Sequence, residues 1–349
     1  MSQLSIFLSL FIMVVNSSSL RAAGGCYTSI FSFDFLPSCH GRCSDGRLIV
    51  DFIAQAAGLP LLPPYLGGEY QDFKKGVNFA VAGATALENS FFSERGISIP
   101  STNNSLGVQL DWFKQLLPSL CSSVSECQDM LRNALFLMGE IGGNDYNIPL
   151  FQGRSLEEIR TFVPSVIIVI SSAITAVIEM GARTLLVPGN FPIGCIPPYL
   201  DLYSSSSSED YDEETGCIKW LNEFSVYHNQ LLIKELDQLQ KMHPHATVIY
   251  ADYYEAAMTI FRSPEKYGFE RPLMACCGGG GLYNHNSSCS CGELGSTVCE
   301  DPSQYISWDG LHLTEAAYKI IATELLQGGK YTSPPIISTC FLQGKISSI

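Results

Sequence analysis

Apolar positions along the chain fall into two kinds of run. Short, nearly unbroken runs recur as SIFSF (29–33), VNFAVAG (77–83), NALFLMGEIGG (133–143), RTLLVPG (183–189) and ATVIYADYY (246–254). Such runs, with little polar alternation, suit strands buried on both faces of a parallel sheet. Longer stretches between them carry helical spacing. DGRLIVDFIAQAAG (45–58) ends on a glycine stop, and SLEEIRTFVPSVIIVISSAITAVIEMG (155–181) contains Pro164, which should start or kink a helix. TGCIKWLNEFSVYHNQLLIKELDQLQKMHP (215–244) continues the pattern. LTEAAYKIIATELLQGG (313–329) closes it, with Thr314 placed to cap the start and Gly328 to stop the end. The alternation predicts an α/β fold, an open sheet with helices on both faces.

Two apolar segments need separate treatment. Leu4 to Val15 is too short to span a bilayer comfortably and is followed by SSSLRAAGG. Residues 1–25 therefore read as a secretory signal peptide, although its first residues lack the usual Lys or Arg. The segment 165–182 carries Glu179 and four hydroxyl side chains, so it reads as a buried amphipathic helix rather than a stable membrane span. A single domain is expected over 26–330, with a C-terminal tail over 331–349. The acidic run SSSSSEDYDEE (204–214) reads as a solvated loop, and the Gly- and Cys-rich region 276–305 as a long stapled one.

Composition narrows the function. The 349 residues are 46% hydrophobic and 15% charged, enough for a sizeable core. A net charge of −14 with no basic run argues against a nucleic-acid partner. All 13 cysteines lie at or beyond Cys26, with close spacings at Cys121/Cys127, Cys276/Cys277, Cys289/Cys291 and Cys299. Zinc ligation is the cytosolic reading of such spacings. A disulfide framework is the better one beside a signal peptide, with at least one thiol left over from the odd count. Sequons at Asn103 and Asn286 agree with a secreted, glycosylated chain in the apoplast or, alternatively, the vacuole.

Three places carry candidate chemistry. Gly83 ends NFAVAG, where a glycine lets a backbone N–H approach a ligand closely. Asn144 follows two glycines in GEIGGNDYN, where its amide could donate to a developing oxyanion. Asp309 and His312 stand three apart in SWDGLHLT, and a carboxylate at that spacing can fix an imidazole's tautomer. Each signal is weak by itself, since Gly-Gly-Asn-Asp is also ordinary turn chemistry.

Together with SIFSF, GRCSDGRLIVDFIA, GVNFAVAGATA, VPGNFPIGCIP, ACCGGGG and WDGLHLTEAAYK, these places resemble the plant GDSL esterase/lipase group of SGNH hydrolases. The resemblance covers nearly the whole mature chain. It implies a flavodoxin-like three-layer α/β/α fold with a mostly parallel sheet of about five strands. It implies ester hydrolysis by a Ser-His-Asp mechanism without cofactor or metal, on a small-molecule or lipid ester. By resemblance, His312 is the general base and Asp309 its orienting partner, while Gly83 and Asn144 supply the oxyanion hole.

One part of the family's pattern is absent. The family's nucleophilic serine lies in a Gly-Asp-Ser-Leu turn directly after the first strand. Here the chain runs FSFDFLPSCHGRCSDGR, and the match resumes at Gly41-Arg42. The first block reads as deleted after Phe33, as an alternative splice junction would leave it. Ser38 and Cys39 are weak substitutes, and Ser44 is expected to cap the next helix. The expectation is an ester-hydrolase scaffold with little or no activity. A non-catalytic isoform binding an ester ligand or a partner protein, and a misfolded splice product, are its rivals.

Overall fold

The computed structural model describes residues 27–33, 42–67, 72–100, 102–327 and 329–339. The segment expected as a signal peptide, residues 34–41 where a deletion is expected, and the stop expected at Gly328 lie outside the described residues.

Each apolar run forms a strand, shorter than the run itself. β1 is Ser29–Ser32, β2 Gly76–Asn78, β3 Ala134–Leu137, β4 Thr184–Pro188 and β5 Thr247–Ala251. After β2, β3 and β4 the run continues over the sheet's carboxyl edge and ends in glycine. Two minor pairings join β6 (Arg271–Ala275) to β9 (Tyr305–Ser307) and β7 (Cys277–Gly278) to β8 (Thr297–Val298), and β10 (Thr332–Ser333) completes the set. The main sheet has the order β10-β5-β4-β3-β1-β2. All its pairings are parallel except β10 with β5. That is the flavodoxin-like order with an added antiparallel edge. The sheet thus continues past the expected boundary at residue 330, because Thr332 and Ser333 pair with Ala251 and Tyr250.

Helices fill the crossovers. They are α1 (Ile49–Ala56), α2 (Asn89–Ser93), α3 (Leu106–Leu120), α4 (Val124–Arg132), α5 (Gly143–Phe151) and α6 (Leu156–Arg160). They continue as α7 (Val163–Met180), α8 (Pro197–Leu202), α9 (Lys219–Met242), α10 (Tyr253–Arg262) and α11 (Glu315–Leu326). Pro164 stands in the first turn of α7, where its missing N–H costs nothing. The Thr314 side chain caps α11 by accepting from Ala317 N at 3.3 Å. Helix α1 instead begins with the Asp51 carboxylate accepting from Leu48 N at 2.9 Å. Ser44, expected as the cap there, lies elsewhere: its hydroxyl donates to the Leu313 carbonyl at 2.9 Å.

Alternate strand residues face two cores. Phe31, Phe136, Leu185 and Val248 pack with α3, α7 and α9. Ile30, Leu135, Leu186 and Ile249 pack with α1, α10 and α11 on the other face. Helix α7 shows why composition misleads about membranes. Leu156–Met180 is long and apolar enough to cross one, yet Val166, Ile170, Ile174 and Val177 are buried against the sheet.

Candidate active site

In an open sheet of this order, the crossovers that leave β1 for β2 and β3 for β4 run in opposite directions. The crevice at the carboxyl ends is where ligands bind. The turns after β2, β3 and β4 and the loop before α11 all open onto that edge.

The β2 turn carries Gly83 at φ +75°, a left-handed conformation that glycine adopts without penalty. The β3 turn carries Gly142 at φ +108°, and a Cβ there would stand 3.0 Å from Val166 Cγ1. That glycine starts α5 abruptly and puts Asn144 in its first turn. The two turns are tied together: Asn144 Nδ2 donates to the Ala84 carbonyl at 2.9 Å. An amide nitrogen has two hydrogens, so one donor remains for another partner.

The third part is the loop between β9 and α11. His312 Nδ1 and Asp309 Oδ2 are 2.6 Å apart. The other oxygen, Oδ1, accepts from the backbone N–H groups of Leu311 at 3.0 Å and His312 at 2.8 Å. Burial pushes the Asp309 carboxyl upward, but the His312 charge and these hydrogen bonds outweigh it and hold the carboxyl below its usual range. An imidazole bonded through Nδ1 keeps Nε2 for proton transfer. Trp308 N donates to the His312 carbonyl at 2.7 Å, which closes the loop on itself.

Residues 44–47 hold this loop from outside. Besides the Ser44 contact, Asp45 Oδ1 accepts from Glu315 N at 2.8 Å, and Arg47 Nη2 meets Glu315 Oε1 at 2.6 Å. Residues 44–47 therefore pack against the His312 loop.

Gly83, Asn144 and His312 line one cavity of about 310 Å³, with Asp309 bonded to the His312 ring. Ile148, Phe151, Phe191, Ile193 and Ile196 make much of its wall, and Glu140 and Tyr318 are its other titratable neighbours. The volume sits at the lower end of the ~300–1,000 Å³ common for small-ligand sites. A larger cleft of about 480 Å³ lies elsewhere, lined by Arg160, Glu223 and Arg262, and contains none of these groups. Charged, open surroundings of that kind suit solvent better than an ester.

Of the nucleophile substitutes, Ser38 and Cys39 lie outside the described residues. Ser32 ends β1, but it is fully buried and does not line the cavity. Asn103 and Asn286, the sequon asparagines, are both exposed. Among the described residues no group of three or more His, Cys, Asp or Glu is arranged to hold a metal ion. Disulfides join Cys121 to Cys127, Cys195 to Cys217, Cys276 to Cys299 and Cys277 to Cys291. The last two staple the loop expected from the cysteine spacing.

Sequence reasoning missed Asp145, Asn147 and Phe191. Asn147 Oδ1 accepts from the buried Tyr199 hydroxyl at 2.7 Å, and the Tyr199 ring stacks on Phe151 at 4.9 Å, so α8 braces the cavity wall. Asp145 stood in plain view in GEIGGNDYN, but its partners are far off in the chain.

Comparison with known proteins adds a family. The GDSL-like Lipase/Acylhydrolase family model matches residues 19–325. Among similar curated proteins are three GDSL esterase/lipases of Arabidopsis thaliana. The first is 58% identical over 301 residues, covering 86% of this chain and 74% of the relative. The second is 56% identical, covering 86% and 76%, and the third 57% identical with the same coverages as the second.

Proposed function

Because the chain belongs to the GDSL-like lipase/acylhydrolase family, an ester-hydrolase scaffold for small-molecule substrates, we propose that it retains the base and the oxyanion donors for ester cleavage and lacks the attacking serine. His312 is the general base and Asp309 its orienting partner. Asn144 and Gly83 are the donors to the oxyanion. The observation that carries this reading is that Gly83, Asn144 and His312, from three distant stretches, face one cavity, with a carboxylate on the far nitrogen of the imidazole.

In the family's chemistry the base takes the serine proton as the hydroxyl attacks the acyl carbon, and the donors hold the charge that moves onto the carbonyl oxygen. Without that hydroxyl, the base has no native group to activate. Loss of a nucleophile lowers turnover on the order of a millionfold. The chain therefore has little or no hydrolytic activity. The second reading, a non-catalytic isoform that binds an ester ligand, draws support from the intact apolar wall of Ile148, Phe151, Phe191 and Ile196. Export through an N-terminal signal peptide and glycosylation at Asn103 and Asn286 belong to the same proposal, supported by the exposure of both asparagines.

The test uses purified protein, p-nitrophenyl butyrate and a serine-directed fluorophosphonate, beside His312→Ala. No label and no His312-dependent rate are expected. A label on Ser38 with a rate lost in His312→Ala overturns the inactivity. Grafting a relative's Gly-Asp-Ser-Leu block between Phe33 and Gly41 tests the rest. A folded graft without a His312-dependent rate removes the roles given to His312, Asp309, Asn144 and Gly83.

A further inference from the structure

Asp145 is fully buried, and among the described residues no Lys, Arg or His pairs with it. Its two oxygens are spent on neighbouring backbone amides across the crevice. Oδ2 accepts from Ala86 N at 2.7 Å and Oδ1 from Leu87 N at 2.9 Å. The next residue back, Asn144, holds the Ala84 carbonyl. Two successive side chains of α5 thus grip three of the four residues that follow Gly83. The grip has a rigid base on both sides. Thr85 Oγ1 donates to the Leu87 carbonyl at 2.7 Å, and Leu106 N of α3 donates to the Thr85 carbonyl at 3.0 Å. On α5, the Tyr146 hydroxyl and His228 Nδ1 of α9 are 2.8 Å apart, and the Tyr146 ring packs edge-on to Phe224.

We propose that Asp145 is a positioning residue: its carboxylate fixes the turn carrying Gly83 at the separation from Asn144 that an oxyanion site needs. This rests on the reading of Gly83 and Asn144 as oxyanion donors. A carboxylate is the side chain that fits, because two N–H groups need two acceptor oxygens. Asparagine offers one oxygen and sets its own N–H against the second donor.

The grip is sensitive to a proton. Burial raises the Asp145 carboxyl to about 7, against the pull of backbone N–H groups from Leu87, Ala86 and its own residue. A proton on either oxygen turns that acceptor into a donor and releases one amide. The other titratable groups nearby are Tyr146 on the same helix, Glu88 at the end of the gripped turn, His228 on α9, and Glu140 and His312 at the cavity. Glu88 is bonded to Ser105, and His228, buried and lowered to about 3, stays neutral.

Nitrogen-15 spectra of the whole protein from about pH 5 to about pH 9 test the proposal. The amides of Ala86 and Leu87, the Gly83 amide and the Asn144 side-chain amide are expected to move in one step centred near 7, the level of Asp145. The step persists in His312→Ala and in Tyr146→Phe and is absent in Asp145→Asn. Steps at Ala86 and Leu87 with Gly83 and Asn144 unmoved mean a merely structural tie and overturn the proposal. So does a step that vanishes in His312→Ala. If Asp145→Asn does not fold, the wild type and His312→Ala decide between these outcomes. Turnover is not the readout. A common step beside an inactive graft removes the donor roles and leaves the grip standing.

Discussion

Removing the His312 ring should release Asp309, and the direction and size of that release follow from the loop's geometry. In the native chain two opposed effects act on the Asp309 carboxyl. Burial pushes it up, and the His312 charge is the largest pull down, followed by hydrogen bonds from the ring and from two backbone amides. His312→Ala deletes the ring but keeps the backbone N–H groups of residues 311 and 312. An opposite charge at hydrogen-bond range is worth about 1–3 pKa units, or about 1.4–4 kcal/mol. The Asp309 side chain is 19% exposed, so solvent screening takes little of this. The pKa of Asp309 should therefore rise by about that many units in the variant. The sign for stability runs the same way. A carboxyl lowered in the native state adds stability that is present above its unfolded value, near 4, and is lost as pH falls through the native value. In His312→Ala the pull is gone and the burial remains, so the variant's carboxyl titrates above the wild type's and the deficit opens as pH rises between those two native values. Carbon-13 titration of the Asp309 carboxyl measures the shift, and urea unfolding at about pH 4 and about pH 6 measures the deficit. An Asp309 midpoint unchanged by the substitution would refute the pairing and, with it, the assignment of His312 as an oriented base.

Three further outcomes are expected. Phe113, fully buried with ring centroids 5.1 Å from Phe31, 5.7 Å from Phe136 and 5.8 Å from Phe33, should cost about 3–5 kcal/mol when cut to Ala. Denaturant unfolding measures it, and a loss below about 1 kcal/mol would contradict the packing. Gly76→Ala should abolish soluble folded protein, because φ is +125° and a Cβ would lie 2.0 Å from the Ile30 carbonyl oxygen in the β1–β2 pair. Normal circular dichroism of the purified variant would count against it. Replacing Cys276 and Cys299 by Ser opens a loop with a sequence separation of 23 and should cost about 3 kcal/mol, read as a lower melting temperature and faster proteolysis within 277–298.

The features legible in the sequence are those whose cause is local. Five apolar runs announced β1 to β5 because burial on both faces leaves no polar alternation. Thr314 announced α11 because a cap acts within three residues. Asp309 and His312 could be read as a pair because their contact spans three residues and needs only its own loop. The edge strand β10 escaped notice because two residues carry no period. Ser44 was misassigned because its partner, Leu313, is 269 positions away.

The cavity itself is a product of topology. Gly83, Asn144 and His312 meet because β1 sits between β2 and β3, an order no single segment encodes. Asp145 looked like one more turn residue until the sheet brought the amides of Ala86 and Leu87 against it, 59 and 58 positions away. Sequence by itself determined the five central strands and the longest helices, since burial pattern and capping act over a few residues. The tertiary structure decided which side chains share a site and what holds them there. Strand order and burial are settled by packing the whole chain at once.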